Sequence, residues 1–218
     1  MVEELALRIE DLKEKIKEAL KNSKKRKFEQ SVEVIIAIDG LDLKKPENRM
    51  LLTIPLPKEI KKKRTICVFA DGPFAEEARN IGVDRVITKS ELEELSGRKR
   101  EIKKIANKYD FFLAQPQLMS LVGKYFGFVL GPRGKMPTII SSTTDLREKV
   151  KTLRNSVRIN LRKNPEAACS IGTETMDIEA LAENAMAVIS EVHGRIREKA
   201  KISRIYVKTT MRKPVRVL

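Results

Sequence analysis

Two hydrophobic rhythms run through this chain, one nested inside the other, and that nesting limits the fold more than any single motif. Toward both ends lie β-branched, strand-like or strictly alternating segments, residues 32–38 (VEVIIAI) and 157–161 (VRINL). Alternation marks a strand with one wet face, as in antiparallel sheets. In the middle, residues 65–70 (TICVFA) and 111–114 (FFLA) are short and apolar without a break. Such runs suit strands covered on both faces, as in a parallel sheet. A chain that starts in one rhythm, changes, and returns is most simply one domain interrupted by another.

The remaining signals fill in this order. Residues 2–20 read as an amphipathic helix, with Val2, Leu5, Ile9, Leu12, Ile16 and Ala19 three or four apart. Residues 50–57 (MLLTIPLP) read as a second strand with prolines at its end, a position that suits an edge or a terminus. The central stretch then alternates strand and helix: a helix over 74–81, a strand over 84–87, a helical pattern over 92–109 broken at Ser96-Gly97, and a helix from Pro116 to about Tyr125. A glycine-proline loop follows over 127–137, and a helix over 144–155. A short strand over 169–172, a helix over 177–192 with Asp177 as N-cap, and a strand over 202–210 close the chain. The expected fold is therefore an α+β domain, residues 1–64 plus 156–218, split by an inserted α/β domain, residues 65–155. The two crossings, near Arg64 and Ser156, would act as a hinge.

Charge narrows the partner. Lys and Arg number 45 against 30 Asp and Glu, for a formal +15. An excess of this size calls for a polyanionic partner or a strong solubility reason. Nucleic acid, which releases counterions when such charge docks on it, is the commonest such partner, and an anionic membrane surface is the rival. The expected insert holds 16 basic and 11 acidic residues, net +5, and the remainder 29 and 19, net +10. The polyanion is thus expected mainly on the split domain. No apolar stretch approaches bilayer length and the opening MVEE lacks a signal core, so neither a membrane nor secretion is expected. Cys67 and Cys169 stand far apart, which points to a reducing compartment and not to a disulfide framework. With one histidine, His193, and no close cysteine pair, no metal site, cofactor or catalytic triad is expected. A nucleotide-using enzyme would want GxGxxG after Ala70, where Asp71-Gly72-Pro73 stands instead.

Four constellations carry the nucleic-acid reading. Lys27-Phe28, after Lys24, Lys25 and Arg26, sets charge for a phosphate backbone beside an aromatic for a sugar or base. Thr209-Thr210-Met211-Arg212-Lys213 offers hydroxyls to ribose or phosphate, a thioether for an unstacked base, and two cations. Ser170-Ile171-Gly172-Thr173-Glu174-Thr175 sets a glycine between small hydroxyl residues, where backbone could approach a ligand closely. The loop LGPRGKMP at 130–137 lacks the phosphate-loop spacing, although Arg133 and Lys135 could reach RNA. Arg158, within the alternating 157–161 segment, completes the set.

Taken together, Lys27-Phe28 with Ser31-Val32-Glu33-Val34, Pro46-Glu47-Asn48-Arg49, the 130–137 loop and Thr209-Thr210-Met211 resemble the first-numbered protein family of the large ribosomal subunit, in its archaeal form. The resemblance spans nearly the whole chain. It implies a split α+β RNA-binding domain with an inserted Rossmann-like, three-layer α/β domain, and a monomer outside the ribosome. It implies a cytoplasmic, non-catalytic constituent of the large subunit that binds large-subunit rRNA. Such a protein forms the mobile exit-site stalk and assists release of deacylated tRNA. It also implies translational repression through the protein's own mRNA. By position it assigns RNA contacts to Lys27, Phe28, Arg49, Gly172, Thr210 and Met211. Bacterial members continue Thr-Met with Gly-Pro, where this chain has Arg212-Lys213-Pro214.

Overall fold

The computed structural model describes residues 7–21, 26–61, 64–141, 143–162 and 164–218. The expectations for Val2 and Leu5, and for Lys24 and Lys25, lie outside these residues. The chain divides into two compact units, Met1–Lys62 with Asn155–Leu218, and Lys63–Arg154. They are called here the terminal and the central unit. Parallel and antiparallel sheets are both present, so the fold is mixed α/β.

The terminal unit is built on β1 (Ser31–Asp39), in which every second residue, Val32, Val34, Ile36 and Ile38, is buried. Its neighbours are β8 (Glu166–Thr173) and β9 (Lys201–Thr209), both antiparallel to it. A two-residue strand, β10 (Val215–Arg216), extends the sheet to the order β10-β9-β1-β8. Helices α1 (Ile9–Lys21) and α7 (Ile178–Ile196) pack against each other and on this sheet. Leu12, Ile16 and Ala19 of α1 meet Leu181, Ala185, Val188 and Val192 of α7 in one core with Ile205 and Val207. A second, two-stranded sheet pairs β2 (Met50–Pro55) with β7 (Ser156–Leu161), and its apolar residues join the same core.

One buried amide ties these parts together. Asn184 on α7 donates to the carbonyls of Ile171 at 2.9 Å and Lys58 at 3.2 Å, and accepts from the Lys58 N–H at 2.9 Å. A fully buried polar side chain is tolerated when its groups are satisfied in this way. Asp177 takes the N-cap position of α7 as expected, but its carboxylate accepts no capping hydrogen bond.

The central unit has a parallel sheet in the order β4-β3-β5-β6, from β3 (Ile66–Phe69), β4 (Arg85–Ile87), β5 (Phe111–Ala114) and β6 (Thr138–Ile139). Every residue of β3 and β5 is buried, which explains the unbroken apolar runs. Cys67, Phe69 and Phe112 face α3 (Lys89–Glu94), α4 (Lys99–Lys108) and α5 (Met119–Leu130). Ile66, Val68, Phe111 and Leu113 face α2 (Gly72–Asn80) and α6 (Thr143–Arg154). The sheet is thus the middle of three layers. Burial raises the Cys67 thiol pKa far above its ordinary value, so the thiol stays protonated.

The boundaries around the glycine-proline loop differ from the sequence reading. α5 continues through Gly127 to Leu130, because Phe126, Val129 and Leu130 form its buried stripe and outweigh the glycines. The loop begins at Gly131 and is fastened to α4. Lys135 Nζ donates to the carbonyls of Ala106 at 3.0 Å and Tyr109 at 2.7 Å at the end of α4. Its cation sits at a helix C-terminus, where the dipole favours it. Arg133 donates to the side chain of Asn107. The two cations expected to reach RNA are thus engaged in holding this loop to α4.

Candidate nucleic-acid interface

The register of β1 decides which residues meet. Val32 stands opposite Gly172 on one side and Thr209 on the other, and Ser31 stands opposite Thr173. Three segments therefore converge at one end of the sheet: residues 26–30 entering β1, 174–177 leaving β8, and 210–214 leaving β9.

Side chains lock them together. Thr210 Oγ1 accepts from the Ser31 N–H at 3.1 Å and lies 3.2 Å from the Ser31 carbonyl, to which it donates. Glu174 accepts from Gln30 N at 3.1 Å and from Gln30 Nε2 at 3.0 Å, and its own N–H donates to the Gln30 carbonyl at 2.9 Å. Thr175 donates to the Glu29 carboxylate and accepts from Lys61 Nζ at 2.6 Å. Hydrogen bonds from Thr175 and Thr173, with the charge of Lys61, hold the Glu29 carboxyl below its ordinary pKa.

What this scaffold holds outward is apolar and cationic. Phe28 is 51% exposed and Met211 56%, and both stand among exposed Lys27 and Lys213. Exposed apolar side chains beside cations are groups that a polyanion with unpaired bases can use. Beside Met211 runs an open groove of about 770 Å³ between α1 and the arm after β9, lined by Lys15, Glu18 and residues 211–216. Partly buried Arg212 sits in its wall, with its backbone N–H on the Thr209 carbonyl at 3.1 Å.

Several expected contacts are placed otherwise. Thr209 is fully buried, because β9 turns Ile205, Val207 and Thr209 inward together. Its hydroxyl cannot reach an outside ligand in this fold, which corrects the direct contact expected of it. Gly172 is buried too. A Cβ there would lie 2.5 Å from Leu181 Cδ2 and 2.6 Å from Met176 Sδ, so the need for glycine comes from packing on α7. Thr173 is buried, with its Oγ1 3.3 Å from Thr175 Oγ1, and Ser170 Oγ donates to the Gly172 carbonyl at 3.3 Å. These residues shape the site from beneath.

Arg49 is not brought to this end. It follows the far end of β1, where Asp39 pairs with Lys201, and its guanidinium donates to the carbonyls of Leu43 at 2.8 Å and Lys44 at 3.4 Å. Arg158 lies on the other sheet, paired across from Thr53 and alternating with buried Val157 and Ile159. Conversely, Lys15, Glu18 and Arg216 in the groove, and Glu29 and Gln30 in the scaffold, have no role in the sequence reading. The polar side of α1 was a usable signal for the first two. The Gln30–Glu174 pair spans 144 positions and has no local signature.

Comparison with known proteins supplies the family. A model of the Ribosomal protein L1p/L10e family matches residues 19–212. The chain belongs to that family. Relatives named large ribosomal subunit protein uL1 cover nearly all of it. The protein of Pyrobaculum calidifontis is 45% identical, over 95% of this chain and 93% of its own length. That of Thermofilum pendens is 47% identical, over 94% and 92%. That of Pyrococcus horikoshii is 46% identical, over 94% of each. The archaeal form seen in Pro46-Glu47-Asn48-Arg49 accords with these sources. The family is named for ribosomal proteins and not for an enzymatic activity. Among the described residues of this L1p/L10e chain, no group of three His, Cys, Asp or Glu could hold a metal ion. None of its described helices is long and apolar enough to cross a membrane.

Proposed function

We propose that this chain is a structural protein of the large ribosomal subunit, in the cytoplasm, that binds large-subunit rRNA through the Phe28–Met211 end of its terminal unit. One observation carries the reading: Phe28 and Met211, 183 positions apart in the chain, are both held exposed among cations at one end of the sheet. Phe28 gives a stacking face, Met211 an adaptable apolar contact, and Lys27, Arg212 and Lys213 meet phosphates. Folded RNA is the partner that wants all three at once.

In this reading the terminal unit is the split RNA-binding domain and the central unit an inserted Rossmann-like domain, the two joined by paired crossings. The protein forms the mobile stalk at the exit site and assists release of deacylated tRNA. It is a monomer outside the ribosome. The same surface takes a similar element in the chain's own mRNA and represses translation there.

Binding of a large-subunit rRNA fragment, titrated with salt, tests the proposal. Affinity should fall steeply as salt rises, because phosphate contacts release counterions. A flat titration, or equal binding to unrelated RNA, rejects it. Footprinting on the chain's own transcript tests the repressor role separately.

A further inference from the structure

Helix α4 carries more positive charge than its fold needs. Residues 98–108 hold Arg98, Lys99, Arg100, Lys103, Lys104 and Lys108 against Glu101 alone. Ile102, Ile105 and Ala106 take the buried side, while these six cations are exposed. Arg98 reaches Glu101 at 3.7 Å. Among the described residues, Lys99, Arg100, Lys103 and Lys104 have no ion-pair partner.

The placement works against the helix. Lys99 and Arg100 occupy its first turn, where the dipole disfavours cations. Lys99 with Lys103, Arg100 with Lys104, and Lys104 with Lys108 are like charges four residues apart, which repel. The surroundings nevertheless hold the helix fixed: its apolar stripe packs in the core, and Lys135 caps its C-terminal carbonyls at 3.0 and 2.7 Å. A local arrangement that costs stability and is still held rigid points to function.

The shape of the patch indicates its partner. Arg100, Lys104 and Lys108 recur every four residues, about 6 Å apart along the axis by the helical rise. They form a row on a convex surface, which suits a polymer of phosphates better than a small anion. The outer face has no exposed apolar residue among its cations, unlike a helix that lies in a lipid surface. We infer that the outer face of α4 is a second RNA-binding surface, which takes a phosphodiester backbone without reading its sequence. It rests on the proposed ribosomal role only for the class of its partner, since it shares no residue with the Phe28–Met211 site.

The test uses the full chain assembled into large ribosomal subunits, with a photocrosslinking residue in place of Lys104 or, separately, of Phe28. Crosslinks to RNA from both positions are expected. RNA crosslinks from position 28 alone overturn the α4 surface and leave the first site standing. Crosslinks from 104 to protein only overturn it in favour of an acidic protein neighbour. Silence from both positions removes the RNA reading of the whole chain. A solution measurement stands beside it: binding of a generic A-form RNA duplex by full-length K99Q/R100Q/K103Q/K104Q. Affinity should fall at least about tenfold, and the slope of log K against log salt should become shallower by roughly three to four, for four lost phosphate contacts. Because like charges are relieved, the thermal midpoint should hold or rise. Unchanged affinity and slope contradict the inference.

Discussion

Thr210 closes two hydrogen bonds on a single residue, Ser31: its hydroxyl accepts from the Ser31 N–H at 3.1 Å and donates to the Ser31 carbonyl at 3.2 Å. The hydroxyl is thus engaged in joining the end of β9 to the start of β1. Thr210→Val removes it and leaves the Ser31 amide short of a partner. Loss of about 1 kcal/mol of stability is expected in urea denaturation, the net scale of one hydrogen bond at a partly buried site. Thr210→Ser should restore most of it. A Val variant as stable as the parent contradicts the clamp.

Thr209 invites the opposite change. It is fully buried, and its Oγ1 has no hydrogen-bond partner among the described residues. Thr209→Val keeps the shape and removes an unsatisfied hydroxyl. Stability should stay level or rise by up to about 1 kcal/mol, with RNA affinity unchanged in a filter-binding assay. Loss of RNA binding without loss of stability would return Thr209 to the interface.

At Gly172 the neighbours set the cost. A Cβ would meet Leu181 Cδ2 at 2.5 Å and Met176 Sδ at 2.6 Å. Met176 is only partly buried and can swing aside, whereas Leu181 is fully buried. Gly172→Ala should destabilise by about 1–2 kcal/mol, the lower part of the overpacking range. Adding Leu181→Ala should make the alanine at 172 cheaper, a coupling that a double-mutant cycle measures. Additive effects would show that the glycine is required by something else.

These three positions also show what the sequence could and could not reveal. The nested rhythms were legible because burial leaves a period: two in β1, none in β3 and β5. Lys27-Phe28 and Met211 stand out in the sequence as an aromatic and a thioether next to cations, and the structure adds that both are exposed. Thr209 was misread by chemistry although its parity with Ile205 and Val207 places it inward. The crowding that keeps residue 172 a glycine has no local signature, since it depends on a helix that packs there only in the fold. Arg49 is grouped with the others by the resemblance alone, and only the pairings of β1 show that it lies toward the other end of that strand. Two-residue strands such as β6 and β10 leave no pattern to read.

The Glu29 carboxyl sets a pH dependence whose sign is fixed. Its pKa is held below the ordinary 4.5 in the fold, first by the hydroxyls of Thr175 and Thr173 and then by Lys61. A depressed carboxyl stabilises above the unfolded value and loses that contribution as pH falls through the folded one. Parent and Glu29→Gln should therefore differ in stability near neutrality and converge in acid. Denaturation across pH 3 to 7, roughly the range where carboxylates and their neighbours titrate, checks this. A gap that widens in acid contradicts it.

The central claim is that Phe28 and Met211 meet RNA together, and their removal tests it most directly. RNA binding by Phe28→Ala and Met211→Asp should be measured on one rRNA fragment, with folding followed by denaturation of the same samples. Both side chains are more than half exposed, so stability should barely change. Affinity should fall by about 1–3 kcal/mol for each, the range seen when a stacking contact is truncated. Undiminished affinity in both variants, with the fold intact, contradicts the account.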